Sequence, residues 1–427
     1  MADMGTRGYG VRLGWSALAL TIMLGMAATT ERAIARSAHA PITVDGSAAP
    51  DPWKRYGGWN KASWPEFNSL ADLGRSPPAP AQGALKQVAT PIIGDPIKGR
   101  ELAFTRARGG GCLSCHVMGV DTPETPGNAG PDLSEIGLSA RDDSYLFNHI
   151  WDPRVHNPES VMTPWGAHGY YSEDEIRHMV AFLETLKEPK NFTSELDDPL
   201  RRPLSVEDRD FTDPFLNPAW DLIDVGKELF AAKSATGRSC ALCHGNPERS
   251  FKGWAASMPY FDERMGKVIG VAEFVTRHGK ATMGGGWLMQ SPESTAMTVY
   301  LTSLANGQPT AVDLSSAGAK AAAERGAKLF DAKIGQANMS CNDCHVKAAN
   351  TWIRGQYLGE SRNQTPHFPL WRTSRMETWD IRKRLQWCNV QIRADELPPD
   401  AKEYGDIEIY LTSLSNGLPL EAPNIRH

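Results

Sequence analysis

The sequence predicts an all-α fold of three tandem modules, the last two an internal duplication, and three observations carry that prediction. The pentapeptide Cys-x-x-Cys-His occurs at Cys112–His116, Cys240–His244 and Cys341–His345. Gly226-Lys-Glu-Leu-Phe230 recurs as Gly326-Ala-Lys-Leu-Phe330, and Val299-Tyr-Leu-Thr-Ser-Leu-Ala-Asn-Gly-Gln-Pro309 recurs as Ile409-Tyr-Leu-Thr-Ser-Leu-Ser-Asn-Gly-Leu-Pro419, the mark of a repeat. Stretches of helical period precede the motifs and close the modules.

Two thiols three positions apart reach the two vinyl groups of a haem, and the following imidazole binds its iron. Three covalently bound haem c groups are therefore expected. Cys112, Cys115, Cys240, Cys243, Cys341 and Cys344 would attach them, and His116, His244 and His345 would be iron ligands. A Cys-x-x-Cys pair can also be half a zinc site or a redox dithiol. Zinc would need distant pairs to combine, and a redox pair would not need the histidine each time. Six of the seven cysteines are used, which leaves Cys388 without an internal disulfide partner.

Residues 1–40 read as a cleavable signal peptide: Arg7 and Arg12, an apolar run from Leu13 to Ala28, then Ala33-Ile-Ala35 and Ala38-His-Ala40. The run is shorter than the ~20 residues that span a bilayer. A soluble periplasmic protein, with no membrane insertion of the mature chain, is expected. Net charge of −5 and the absence of long basic runs give no sign of nucleic-acid binding. Residues 41–190 form a first, monohaem cytochrome c-like domain, opening with a Pro- and Trp-rich extended stretch to about residue 92. A helix over 99–108 leads into its motif. Gly130-Pro-Asp-Leu133 is a turn of the kind that runs under a haem edge, and helix follows around Tyr145–Trp151. Ser172-x-x-Glu175 is a capping box opening a helix with Ile176, Val180, Leu183 and Leu186 on one face. Residues 191–217, charged and proline-containing, are a linker. Residues 218–312 and 313–427 are the duplicated cytochrome c-like domains.

The second axial ligand sets the potential and reactivity of each haem. Met162, in the Pro-flanked loop Asn157–Gly166, is the candidate for the first, with His156 and His168 as fallbacks; a methionine can also be core filler. For the second, His278 is favoured over Met283 and Met289. The repeat places His278 on Cys388, each twenty-two residues before Tyr300 and Tyr410 respectively, at the ends of helices read as Val271–His278 and Asp380–Cys388. Cys388 is thus the candidate thiolate ligand of the third haem, against the alternative of a buried, inert thiol. Arg384, four positions earlier on the same helical face, can lower the thiol's pKa and hold an anion, or be an ordinary solvated charge.

These residues resemble SoxXA, the multihaem c-type cytochromes of the periplasmic sulfur-oxidising system, here as one fused chain. The first domain is similar to SoxX in Cys112–His116, Gly127-Asn-Ala-Gly-Pro-Asp-Leu-Ser-Glu-Ile-Gly137 and Asn157-Pro-Glu-Ser-Val-Met162. The rest is similar to a dihaem SoxA subunit in Arg238–Gly245, Met339–His345, Arg384-Leu-Gln-Trp-Cys388-Asn389 and Ile392-Arg-Ala394. The resemblance implies an L-cysteine S-thiosulfotransferase that joins thiosulfate to a cysteine of a SoxYZ-type carrier protein and passes two electrons to a small cytochrome c. It assigns Cys388 to the active haem, where the cysteine can carry an extra sulfur, and Arg384 to substrate. Family members often have cysteine where His278 stands, which implies a different potential for the second haem here.

Two other functions fit the same motifs. A thiosulfate dehydrogenase would couple two thiosulfates to tetrathionate without a carrier. A non-catalytic multihaem electron-transfer protein would hold Cys388 only as a structural ligand.

Overall fold

A computed structural model describes residues 85–106, 111–123, 125–205, 211–284, 286–394 and 397–427, all within one compact unit. The signal-peptide reading of residues 1–40 and most of the extended stretch read to residue 92 lie outside the described residues. Helix α1 (Pro96–Phe104) starts three positions before the expected helix. Asp95 accepts from the amides of Ile97 and Lys98, and Pro96 presets the first turn. Helices α2 (Asp143–Trp151) and α3 (Glu173–Thr185) follow. The capping box at Ser172 and Glu175 is formed, and Ile176, Met179, Val180 and Leu183 are buried.

Further along come α4 (Asp221–Ala231), the short helices α5 (Cys240–His244) and α6 (Pro247–Ser250), hairpin strands β1 (Tyr260–Asp262) and β2 (Lys267–Ile269), then α7 (Val271–Met283) and α8 (Pro292–Ser303). Helix α9 (Ala317–Asp331) opens the last part, followed by strands β3 (Trp352–Ile353), β4 (Gln356–Tyr357), β5 (Leu370–Arg372) and β6 (Glu377–Trp379). Helices α10 (Ile381–Gln391) and α11 (Lys402–Leu414) and strand β7 (Asn424–Arg426) complete it. Strand β5 pairs antiparallel with β6, in the register Leu370 to Trp379, and parallel with β7, Leu370 to Asn424.

The all-α expectation holds for the helix-rich, cytochrome c-like framework and misses these short strands. Helix α7 runs past His278 to a left-handed cap at Gly284, because Gly279 is buried within the helix instead of ending it. Cys388 likewise lies inside α10.

One contact recurs three times. Helices α1 and α3, α4 and α8, and α9 and α11 cross at a glycine. A Cβ there would fall 1.9 Å from the His178 carbonyl oxygen at Gly99, 2.4 Å from that of Ala296 at Gly226, and 1.9 Å from that of Asp406 at Gly326. Only hydrogen permits the backbones to approach so closely. Separate apolar clusters sit at these crossings, around Phe147, Ile176 and Phe182 in the first part and Phe230, Met297 and Tyr300 in the second. In the last part, Ala322 and Ile409 pack with Val268 from β2. The β1–β2 hairpin therefore contributes to the core of the segment that follows its own.

Candidate functional site

The first motif opens as a single 3-10 turn, Cys112–Ser114. His116 is oriented through Nδ1, which lies 2.7 Å from the carbonyl oxygen of Pro131, leaving Nε2 for a metal. Gly130 lies under the ring, where a Cβ would stand 2.3 Å from Cε1. Cys112, Cys115 and His116 border a largely apolar cavity of 390 Å³, whose wall also includes Leu133, His149 and Met162. Burial pushes the Cys112 thiol up to about 12 and that of Cys115 up to about 11, with the charge of Arg354 opposing the latter. Paired thiols, an oriented imidazole and an apolar cavity fit a covalently held haem. Met162 lies on the cavity wall with His116. His168 does not: it is fully buried, with Nδ1 2.9 Å from the Gln336 carbonyl oxygen. His156 is stacked on Tyr145 at 4.1 Å. His149 on α2 was not singled out in the sequence, although its spacing of four from Tyr145 puts the two rings on one helical face.

At the second motif the rings of His244 and His278 are 5.9 Å apart, centre to centre. Phe274 stacks against His278 at 5.0 Å and 10°, which holds its orientation. The two histidines, Cys240 and Cys243 border a cavity of 250 Å³. Met283 shares that cavity, its sulfur 4.0 Å from the sulfur of Cys240. Met289 is buried and is not part of the cavity wall.

The third motif ends in a π-helical turn, Asp343–Lys347. His345 Nδ1 lies 3.0 Å from the Gly359 carbonyl oxygen, again leaving Nε2 for a metal. Cys388, from α10, lies near enough to His345 for the imidazole to favour its thiolate. Burial raises the Cys388 thiol, but Arg384, His345 and Arg372 together bring it down to about 7. The thiolate is thus accessible here, unlike in Cys341 and Cys344, which burial and neighbouring sulfurs push upward. A small cleft of 50 Å³ beside His345 is bordered by Arg372, Arg384 and Arg426, a concentration of positive charge suited to a small anion. The Arg384 guanidinium pairs with no carboxylate among the described residues. Arg372 and Arg426 escaped sequence reasoning because they lie on short strands that carry no readable period.

The first and third sites adjoin each other. Met339, Asp343 and Cys344 complete the wall of the 390 Å³ cavity, and Cys115 and Cys344 are close enough to raise the latter's pKa. Among the described residues no group of three or more His, Cys, Asp or Glu could hold a metal ion, so the cysteine pairs do not converge on one. No described helix is long and apolar enough to cross a membrane.

A family model of the SoxA/TsdA cytochrome c domain matches residues 225–310 and again 325–420. The L-cysteine S-thiosulfotransferase subunit SoxA of Chlorobaculum thiosulfatiphilum is 31% identical over 211 residues, covering 49% of this chain and 72% of that protein. The chain belongs to the SoxA family. The SoxA subunit of Paracoccus pantotrophus is 30% identical over 217 residues, covering 50% of this chain and 73% of that subunit. Among solved structures, SoxXA from P. pantotrophus is similar at 29% identity and a TM-score of 0.47, covering 50% of this chain and 80% of that one. As a member of this L-cysteine S-thiosulfotransferase family with matched cytochrome c domains, the chain is a haem c protein. Within the SoxA-matched region lie the second and third motifs, His278, Arg384 and Cys388. The first motif precedes it.

Proposed function

We propose that this chain is a fused, periplasmic SoxXA-type trihaem cytochrome c, of three tandem haem domains with the last two duplicated, which oxidatively couples thiosulfate to a cysteine of a SoxYZ-type carrier. The observation that carries the proposal is the meeting of Cys388 with His345 beside a cleft bordered by Arg384, Arg372 and Arg426. The three haems would be held by His116 with Met162, by His244 with His278, and by His345 with Cys388, each beside its cysteine pair. Bound haem supplies one-electron acceptors that relay charge to a small cytochrome c.

The residues divide the remaining work. Arg384 and its neighbouring arginines bind the sulfonate oxygens of thiosulfate and orient its terminal sulfur toward Cys388. Cys388 presents a polarisable sulfur. The carrier's thiol gives up its proton, and a sulfur–sulfur bond forms between carrier and thiosulfate, giving the S-thiosulfonate, one proton and two electrons. The electrons leave to the external cytochrome.

The test mixes oxidised protein with thiosulfate, with and without a SoxYZ-type carrier, and follows haem reduction in wild type and Cys388→Ala. Carrier-dependent reduction that the variant lacks supports the proposal. Reduction by thiosulfate alone with tetrathionate as product would replace it with a thiosulfate dehydrogenase, and no reduction in either mixture would leave an electron carrier.

A further inference from the structure

The duplicated parts differ in length by one residue before the motif and by a longer insertion after it. Tyr260 and Leu370, Lys267 and Glu377, Val271 and Ile381, and Pro292 and Lys402 open matching elements and are each 110 positions apart, whereas Cys240 and Cys341 are 101 apart. The later part thus carries nine extra residues between its motif and β5. In that interval lies the hairpin β3–β4, paired Trp352 to Tyr357, which has no strand counterpart between α5 and β1.

The hairpin contacts the first motif directly. Arg354 at its tip donates from its backbone amide to the Ser114 carbonyl oxygen at 2.9 Å and from Nε to Ser114 Oγ at 2.8 Å. Ser114 is one of the two residues between the paired cysteines Cys112 and Cys115. The Asn128 amide donates to the Trp352 carbonyl oxygen at 3.0 Å, and the Trp352 amide to Asn128 Oδ1 at 2.8 Å. Arg354 adopts φ 56°, a strained conformation for a side-chain-bearing residue, and these contacts hold it there.

Arg202, from the linker, closes the arrangement. Its guanidinium donates to carbonyl oxygens of Arg354 at 2.9 Å, Pro126 at 3.1 Å, and Leu196 and Asp197 at 2.6 and 3.1 Å. It also lies 4.8 Å from the centre of the Trp352 ring. One planar cation thereby ties the linker, the first part and the hairpin, a set of directions that a lysine cannot reproduce.

We propose that the β3–β4 hairpin, latched by Arg202, is the positioning element that holds the first motif against Cys344, and that electron exchange between the first and third sites depends on it. The proposal rests on the three-haem reading. Its test does not involve thiosulfate: one electron is injected into the oxidised holoprotein by a photoexcited reductant, and its redistribution between the two sites is timed. Arg202→Ala, Arg202→Lys and Arg354→Ala should each slow the exchange by roughly 10–100-fold, as small displacements of reacting partners do. Haem content and the individual haem spectra should stay as in wild type. Hydrogen exchange at the Asn128 and Trp352 amides should quicken in the same variants. Should Arg354→Ala lose haem, Ser114→Ala removes only the Oγ acceptor and should slow exchange to a smaller degree. Wild-type exchange in Arg202→Lys and Ser114→Ala, with unaltered amide protection, would overturn the proposal. A wild-type haem count other than three would instead defeat the reading beneath it.

Discussion

Arg382 on α10 and Glu273 on α7 form a buried ion pair at 2.5 Å that joins the helix carrying Cys388 to the helix carrying His278. Arg382 also donates to Glu408 at 2.7 Å and to the carbonyl oxygens of Pro399 and Val268. Glu273 accepts from Lys267 and Arg277 as well. Two acids hold the guanidinium charged against its burial. Arg382→Ala would leave Glu273 and Glu408 buried without it, a loss of about 3–5 kcal/mol. Denaturant unfolding of the holoprotein should show this destabilisation. The same change at Arg264, whose side chain is 89% exposed, should leave stability near wild type.

Removing each proposed sixth ligand in turn should alter one low-spin signal at a time. Met162→Ala should abolish a His/Met signature, His278→Ala a His/His one and Cys388→Ala a His/thiolate one, as read by low-temperature electron paramagnetic resonance. A Cys388→Ala spectrum identical to wild type would remove Cys388 from the ligand set.

Arg384 borders the cationic cleft and has no carboxylate to satisfy it among the described residues. Losing one charge-assisted contact to an anion weakens binding by ~1.5–3 kcal/mol. Arg384→Ala should therefore raise the thiosulfate concentration needed for half-maximal carrier-dependent reduction by roughly 10–100-fold, with Arg384→Lys intermediate. An unchanged concentration dependence would place Arg384 outside the substrate site.

His168 is fully buried, and burial holds its imidazole down to about 4; Arg154 pushes the same way, while the Gln336 carbonyl and Asp152 oppose. Folding therefore keeps the ring neutral, whereas the unfolded chain protonates it near 6.5. The associated stability is complete above about pH 6.5 and is lost as pH falls toward about 4, by roughly 2–3 kcal/mol. Unfolding curves at pH 7, 5 and 4 should show a shallower acid dependence in His168→Gln than in wild type; parallel curves would refute the assignment.

Local chemistry was the legible part of this sequence. The three motifs, the Ser172–Glu175 cap and the closing helices depend on residues a few positions apart, and His278 and Cys388 each lie within a helix near where one was expected. The helix ends were less legible: the helix read as Val271–His278 runs on through buried Gly279 to Met283. Strands of two or three residues display no alternation, so Arg372, Arg426 and the Arg354 tip were invisible. The pairing of Arg382 with Glu273 across 109 positions depends on the packed fold and leaves no local trace.

The cavity beside Cys112 and Cys115 is completed by Met339, Asp343 and Cys344, residues made much later in synthesis. The motif that emerges first thus obtains its finished surroundings nearly last. A chain that stopped short of residue 339 would leave that cavity without part of its wall.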